Sequence, residues 1–142
     1  MATSQATIAV LDAGAALPET RAVPSAALRE RWNDYGIGLL LQGDTRGAEA
    51  AFLRVTAIEP GYADGWVNIG RARVQEGDME RAEEVLRKAL AIDPTLAKTH
   101  FFLGIAIRSL GRYDEALAHF NAAAALYPAD RVVLNPIGRV LC

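Results

Sequence analysis

From residue 29 onward, large and small apolar positions recur in a fixed order. Trp32, Tyr35, Gly36 and Leu39 are followed by Trp66, Ile69, Gly70 and Arg73. His100, Leu103, Gly104 and Ile107 come next, and then Leu134, Ile137, Gly138 and Leu141. Within each set the offsets are 3, 1 and 3, which trace one face of an α-helix and not the alternation of a strand. A second stripe follows each of the first three: Ala48, Phe52 and Val55; Ala82, Leu86 and Ala89; Ala116, Phe120 and Ala123. Its offsets of 4 and 3 are again helical. Both stripes return every 34 residues, so the chain divides into repeats at 29–62, 63–96 and 97–130, with a partial unit at 131–142. Each repeat is predicted as a helix, a short turn and a second helix, giving six helices and part of a seventh.

The small columns have a steric reading. Gly36 with Ala48, and Gly70 with Ala82, let the two helices of a repeat approach closely, where larger side chains would push them apart. Gly43, Gly77 and Gly111 stand where the first helix ends, a place that favours left-handed backbone. Asp44 and Asp78 follow as N-caps of the second helix. That helix should stop at Glu59-Pro60, Asp93-Pro94 and Tyr127-Pro128, because the residue before a proline resists helical geometry.

The 34-residue step and the W-x2-L-G-x2-Y…A-x3-F…P order resemble the tetratricopeptide repeat family over 29–130, with a partial unit beyond. The resemblance implies an all-α helix-turn-helix solenoid with right-handed superhelical stacking. His100 and Leu134 depart from the pattern's Trp, Arg73 from its second aromatic, and Val55 from a small residue. Residues 1–28 do not follow the period. Within them 7–11 is a short β-prone run, and 13–27, with Gly14, Pro18 and Pro24, reads as a linker. The fourth unit lacks a second helix, which suggests a piece of a longer array. Pro136 should kink its last helix or mark its start.

Composition narrows the function classes. The 142 residues are 51% apolar and 23% charged, which suits a packed chain and not a disordered one. A net charge of −2 argues against a nucleic-acid partner, which would call for a basic face. No apolar run approaches the roughly 20 residues of a membrane span. The first residues lack the cationic-then-apolar order of a secretory leader. The sequence leaves the compartment open, cytoplasmic or periplasmic.

Catalytic chemistry is not legible. His100 occupies the Trp column and reads as a packed structural residue. His119 precedes the core position Phe120 and reads as a surface residue. Neither has a partner at metal-ligand spacing, and Cys142 stands alone. Gly36-Ile37-Gly38 lacks the rest of a phosphate loop. The acidic pairs Glu83-Glu84 and Asp114-Glu115 suit helix N-termini and solvent. The expectation is therefore no catalytic residue, no metal, no cofactor and no enzyme activity in this chain alone.

In the family, function lies on a concave face built mainly from first helices. The positions opposite the Trp-Gly stripe are Glu30, Asn33, Asp34 and Ile37; Asp64, Val67, Asn68 and Arg71; and Lys98, Phe101, Phe102 and Ile105. Leu41, Gln75, Arg108, Ser109 and Arg139 extend the row. The partner-binding set expected from it is Asn33, Ile37, Val67, Asn68, Arg71, Lys98, Phe101, Phe102, Ile105 and Arg108, apolar pockets flanked by polar groups that suit a peptide or helix of a partner protein. Packing between repeats is the competing role for Phe101 and Ile105. Some relatives grip a peptide's terminal carboxylate with five residues. Asn68 and Lys98 match two of those places, whereas Asn33, Ile37 and Phe102 stand where that clamp uses Lys, Asn and Arg. The leading expectation is thus a protein-interaction scaffold without this clamp, with an acidic stretch of the partner nearer repeats two and three, away from Glu30, Asp34 and Asp64. The alternative is a structural segment of a larger bacterial enzyme or multihaem electron-transfer protein. Leu134, Ile137 and Leu141 leave an apolar stripe that suggests homo-oligomers through array ends.

Overall fold

A computed structural model describes residues 23–127 and places six α-helices there. They are α1 (Ser25–Leu41), α2 (Thr45–Ile58), α3 (Ala63–Glu76), α4 (Met79–Ile92), α5 (Ala97–Ser109) and α6 (Tyr113–Leu126). No strand occurs among the described residues. The β-prone run at 7–11 and the self-association residues Leu134, Ile137 and Leu141, with Pro136, lie outside them.

The turns follow from residue chemistry. Gly43, Gly77 and Gly111 have φ of 86°, 87° and 89°, backbone that side-chain-bearing residues rarely adopt. The left-handed residue lets the chain close on the helix end. Asp44 N–H then donates to Leu39 O at 2.9 Å, Asp78 N–H to Arg73 O at 2.9 Å, and Arg112 N–H to Ile107 O at 3.1 Å. Carbonyls that the helix end would orphan are thereby satisfied. Asp44 accepts from Gly47 N–H at 2.9 Å and Asp78 from Arg81 N–H at 3.3 Å, so both cap as expected. The third repeat has Arg112 at this place, with no side-chain cap, and carries Asp114 and Glu115 in the first turn of α6 instead. Glu59, Asp93 and Tyr127 are extended before their prolines.

One boundary differs from the reading of the period. α1 begins at Ser25, inside the stretch read as linker, because Pro24 supplies a fixed φ of −61° and its carbonyl accepts Leu28 N–H at 3.0 Å. Proline ends helices behind it but tolerates them ahead.

The core is a continuous seam between the helices of each pair and between successive pairs. Phe52, Ile69, Leu86, Leu103 and Ile107 are fully buried in it. The second-helix atoms nearest to the first-helix glycines belong to a large residue. A Cβ on Gly36 would lie 2.5 Å from Phe52 Cε1, on Gly70 2.5 Å from Leu86 Cδ2, and on Gly104 2.6 Å from Phe120 Cε1. Ala82 is also buried, but it is not among the nearest atoms to Gly70. Helix spacing therefore rests on a large side chain lying against a glycine.

Arg73 explains its own departure from the pattern. From α3 it reaches back to α2, with Nε 3.1 Å and Nη2 2.9 Å from Glu49 Oε2. The two side chains are only 13% and 16% exposed, so the pair ties repeat two to repeat one.

Candidate functional site

The first helices touch one another directly, and their contacts arrange the expected site residues. Asn68 of α3 donates from Nδ2 to Asn33 Oδ1 of α1 at 2.8 Å, while its Oδ1 accepts from Arg71 Nη1 at 3.2 Å. The orientation of the amide follows from chemistry, since a guanidinium can only donate. Lys98 Nζ of α5 lies 2.8 Å from Asp64 Oδ1 of α3. The Arg71 guanidinium stands over the Phe102 ring of α5 at 5.4 Å. Gln75 Nε2 donates to Leu40 O across the first two repeats at 3.3 Å.

This geometry separates the ten expected residues. Asn33, Ile37, Arg71, Lys98, Phe102 and Ile105 are partly exposed along the row of first helices. Val67 is 0% exposed and belongs to the core, and Asn68 is 2% exposed with its amide engaged on both sides. Neither offers a free surface. The periodicity gave their angular position but not their depth, which the neighbouring repeats decide. Replacing Asn68 by alanine therefore removes a buried polar bridge rather than a surface contact. Phe101 meets two rings edge-on, Phe102 at 5.2 Å and Phe120 at 6.0 Å, and Arg108 stands 5.6 Å over the Phe120 ring. Their counterparts one repeat earlier, Val67 and Val74, pack into the core. Phe101 and Arg108 remain less buried, Phe101 partly exposed and Arg108 exposed.

The charges of the row are unequal. Burial works against the charge of Arg71 and lowers its pKa, yet no carboxylate pairs with it among the described residues. Two cations on the outer side, by contrast, are paired with carboxylates. Arg112 lies 2.9 Å from Glu83 and 2.8 Å from Glu115, and Arg87 lies 2.8 Å and 2.7 Å from the same two. This four-membered network links α4 to α6.

Sequence reasoning missed the meeting of the two histidines. His119 is half-buried, not a free surface residue, and its Nδ1 lies 3.1 Å from His100 Nδ1. The contact requires a proton on one Nδ1 and a lone pair on the other, so it opposes double protonation. Burial, then His100 and Arg87, lower the His119 pKa, while Glu115 and Glu83 oppose them. Glu83 is held below the usual carboxylate range, chiefly by its bond to Arg112 and also by Arg87. Both shifts have the same sign for linkage: the unfolded chain binds protons more readily. The melting temperature should therefore fall as pH drops through the ordinary histidine value of 6.5 and again below the ordinary glutamate value of 4.5. His119→Gln should flatten the first step and leave the second, as read by circular-dichroism melts across pH.

No group of three or more His, Cys, Asp or Glu that could hold a metal ion occurs among the described residues. No described helix is long and apolar enough to cross a membrane.

Residues 61–129 match the tetratricopeptide repeat family. No curated protein sequence matches the chain. Among solved structures, the chain is similar to the second tetratricopeptide domain of Spaghetti bound to an HSP90 peptide, at 24% identity and a TM-score of 0.67, covering 70% of this chain and 92% of that one. It is similar to PcrH in complex with the chaperone binding region of PopB, at 21% identity and a TM-score of 0.68, covering 74% and 87%. It also resembles part of the Thermobaculum terrenum O-GlcNAc transferase, at 25% identity and a TM-score of 0.70, covering 75% of this chain and 20% of that one. These likenesses agree with the six helices and the repeat grammar.

Proposed function

We propose that this chain, a member of the tetratricopeptide repeat family, is a non-catalytic protein-interaction scaffold that holds a peptide or helix of a partner along its first helices. The observation that carries this reading is the row itself. Ile37, Arg71, Lys98, Phe102 and Ile105 remain partly exposed there, an apolar surface that also carries two cations, the composition of a peptide groove. Similar folds support it, since the Spaghetti domain is bound to a peptide and PcrH to a region of PopB. The alternative, a structural segment of a larger enzyme, draws on the likeness to one fifth of a glycosyltransferase chain.

The test uses synthetic peptides selected on the intact chain from a random dodecapeptide display library. Lys98→Ala combined with Ser109→Trp alters one charge and blocks an exposed position of the row. It should weaken the selected peptides by about tenfold or more, the effect of roughly 1.4 kcal/mol. The control, Arg54→Ala with Lys88→Ala, removes two cations of the second helices, which stand over Trp32 and Trp66, and should leave binding unchanged. Equal losses in both variants, or none in the first, would overturn the reading.

A further inference from the structure

We infer that the centre of this row is a subsite for an acidic side chain of the partner, flanked on both sides by apolar ones. The inference rests on the proposed groove and names the chemistry that would fill it. Ile37, Arg71 and Ile105 occupy the same place in three successive repeats, so the row reads apolar, cationic, apolar. All three are partly exposed.

Arg71, the cation within this apolar surface, is the odd group among them. Its guanidinium is half-buried, burial disfavours its charge, and its partners are the neutral Asn68 amide at 3.2 Å and the Phe102 ring at 5.4 Å. One of its five N–H donors meets Asn68, and the described carboxylates leave the rest to solvent or a ligand. Asp64, the nearest acidic residue of the row on the same helix, is engaged by Lys98. The Asn33–Asn68–Arg71 chain of hydrogen bonds fixes where the fork points. A planar fork held in place over an aromatic ring suits one carboxylate taken bidentately.

The same contacts favour a side-chain carboxylate over a chain end. A terminal carboxylate needs several converging donors. Here Ile37 and Phe102 supply none, Asn68 is engaged, and Lys98 is held at Asp64. Neighbouring packed helices lie about 8–10 Å apart. An extended segment rising about 3.1 Å per residue with a threefold period presents one side chain per helix at that spacing. The recognised pattern is therefore an Asp or Glu with a large apolar residue three positions before it and another three positions after.

Dodecapeptides selected on the intact chain should share that pattern. Changing the acid to its amide in a synthetic peptide should weaken binding by about tenfold or more. On Arg71→Gln the acid and amide forms should bind alike, and Arg71→Lys should restore part of the preference, because an ammonium keeps the charge without the fork. Amidating the peptide's C-terminus should change nothing. The comparison of acid with amide on the unaltered chain does not depend on whether the Arg71 variants fold, which circular dichroism checks separately. Peptides that bind the row without a recurring acid, an acid preference that survives Arg71→Gln, or a requirement for a free C-terminus would overturn the subsite while leaving the groove standing. Peptides insensitive to Lys98→Ala/Ser109→Trp would remove both.

Discussion

Gly70→Leu is expected to destabilise the array by about 3 kcal/mol or more, at the upper end of what overpacking usually does. The new Cβ alone would lie 2.5 Å from Leu86 Cδ2 and Cγ, and Leu86 is fully buried and has nowhere to retreat. Removing a helix-interior glycine returns only about 1 kcal/mol of helix propensity, which the clash exceeds. At roughly 3–5 °C per kcal/mol for a domain of this size, the melting temperature should fall by about 10 °C or more. A second substitution identifies the cause. Leu86→Ala should be costly on its own, by about 2–5 kcal/mol. In the Gly70→Leu background it should cost much less, or even restore stability, because the new side chain fills the space that Leu86 vacated. Simple additivity of the two would show that Gly70 and Leu86 do not meet.

Phe52→Ala is the second large effect, about 3–5 kcal/mol, because it removes a wholly buried ring and leaves a cavity. The ring is 0% exposed and lies against Gly36. Phe120 holds the same column in repeat three and covers Gly104 in the same way, but it is only partly buried. Phe120→Ala should therefore cost less, on the order of 2 kcal/mol. Urea midpoints of the two variants, taken with unchanged slopes, would measure the difference. Equal losses would contradict the account, in which burial and not column membership sets the cost.

These cases show what the sequence could convey. The fixed period reveals which residues share a helical face, so the six helices, the left-handed glycines, the aspartate caps and the stops before proline were all legible. Those features are local, and each depends on neighbours within a few residues. Contacts between repeats were not legible, because they depend on how far one helix pair advances over the next. The period brings Gly70 and Ala82 together as small residues but does not reveal that the side chain nearest to Gly70 is Leu86. Asn68 and Val67 were placed on a surface that the adjacent repeats bury. Arg73 looked like a lost aromatic until Glu49, on the preceding pair, came within 2.9 Å. His119 looked external because nothing in a pattern signals a partner 19 positions back. The start of α1 shows the converse case: the period assigns a boundary at residue 29, but a helix begins where its backbone allows, here at Ser25 after Pro24.

The central claim is that a partner segment lies along the first helices, and cross-linking measures this most directly. A photoreactive benzoylphenylalanine at Leu41, exposed at the end of α1 in the row, would be compared with the same group at Leu117, exposed on α6. Irradiation with a labelled peptide selected on the intact chain should give an adduct from position 41, competed by unlabelled peptide, and none from position 117. An adduct from position 117 alone would contradict the account and move the binding surface to the second helices.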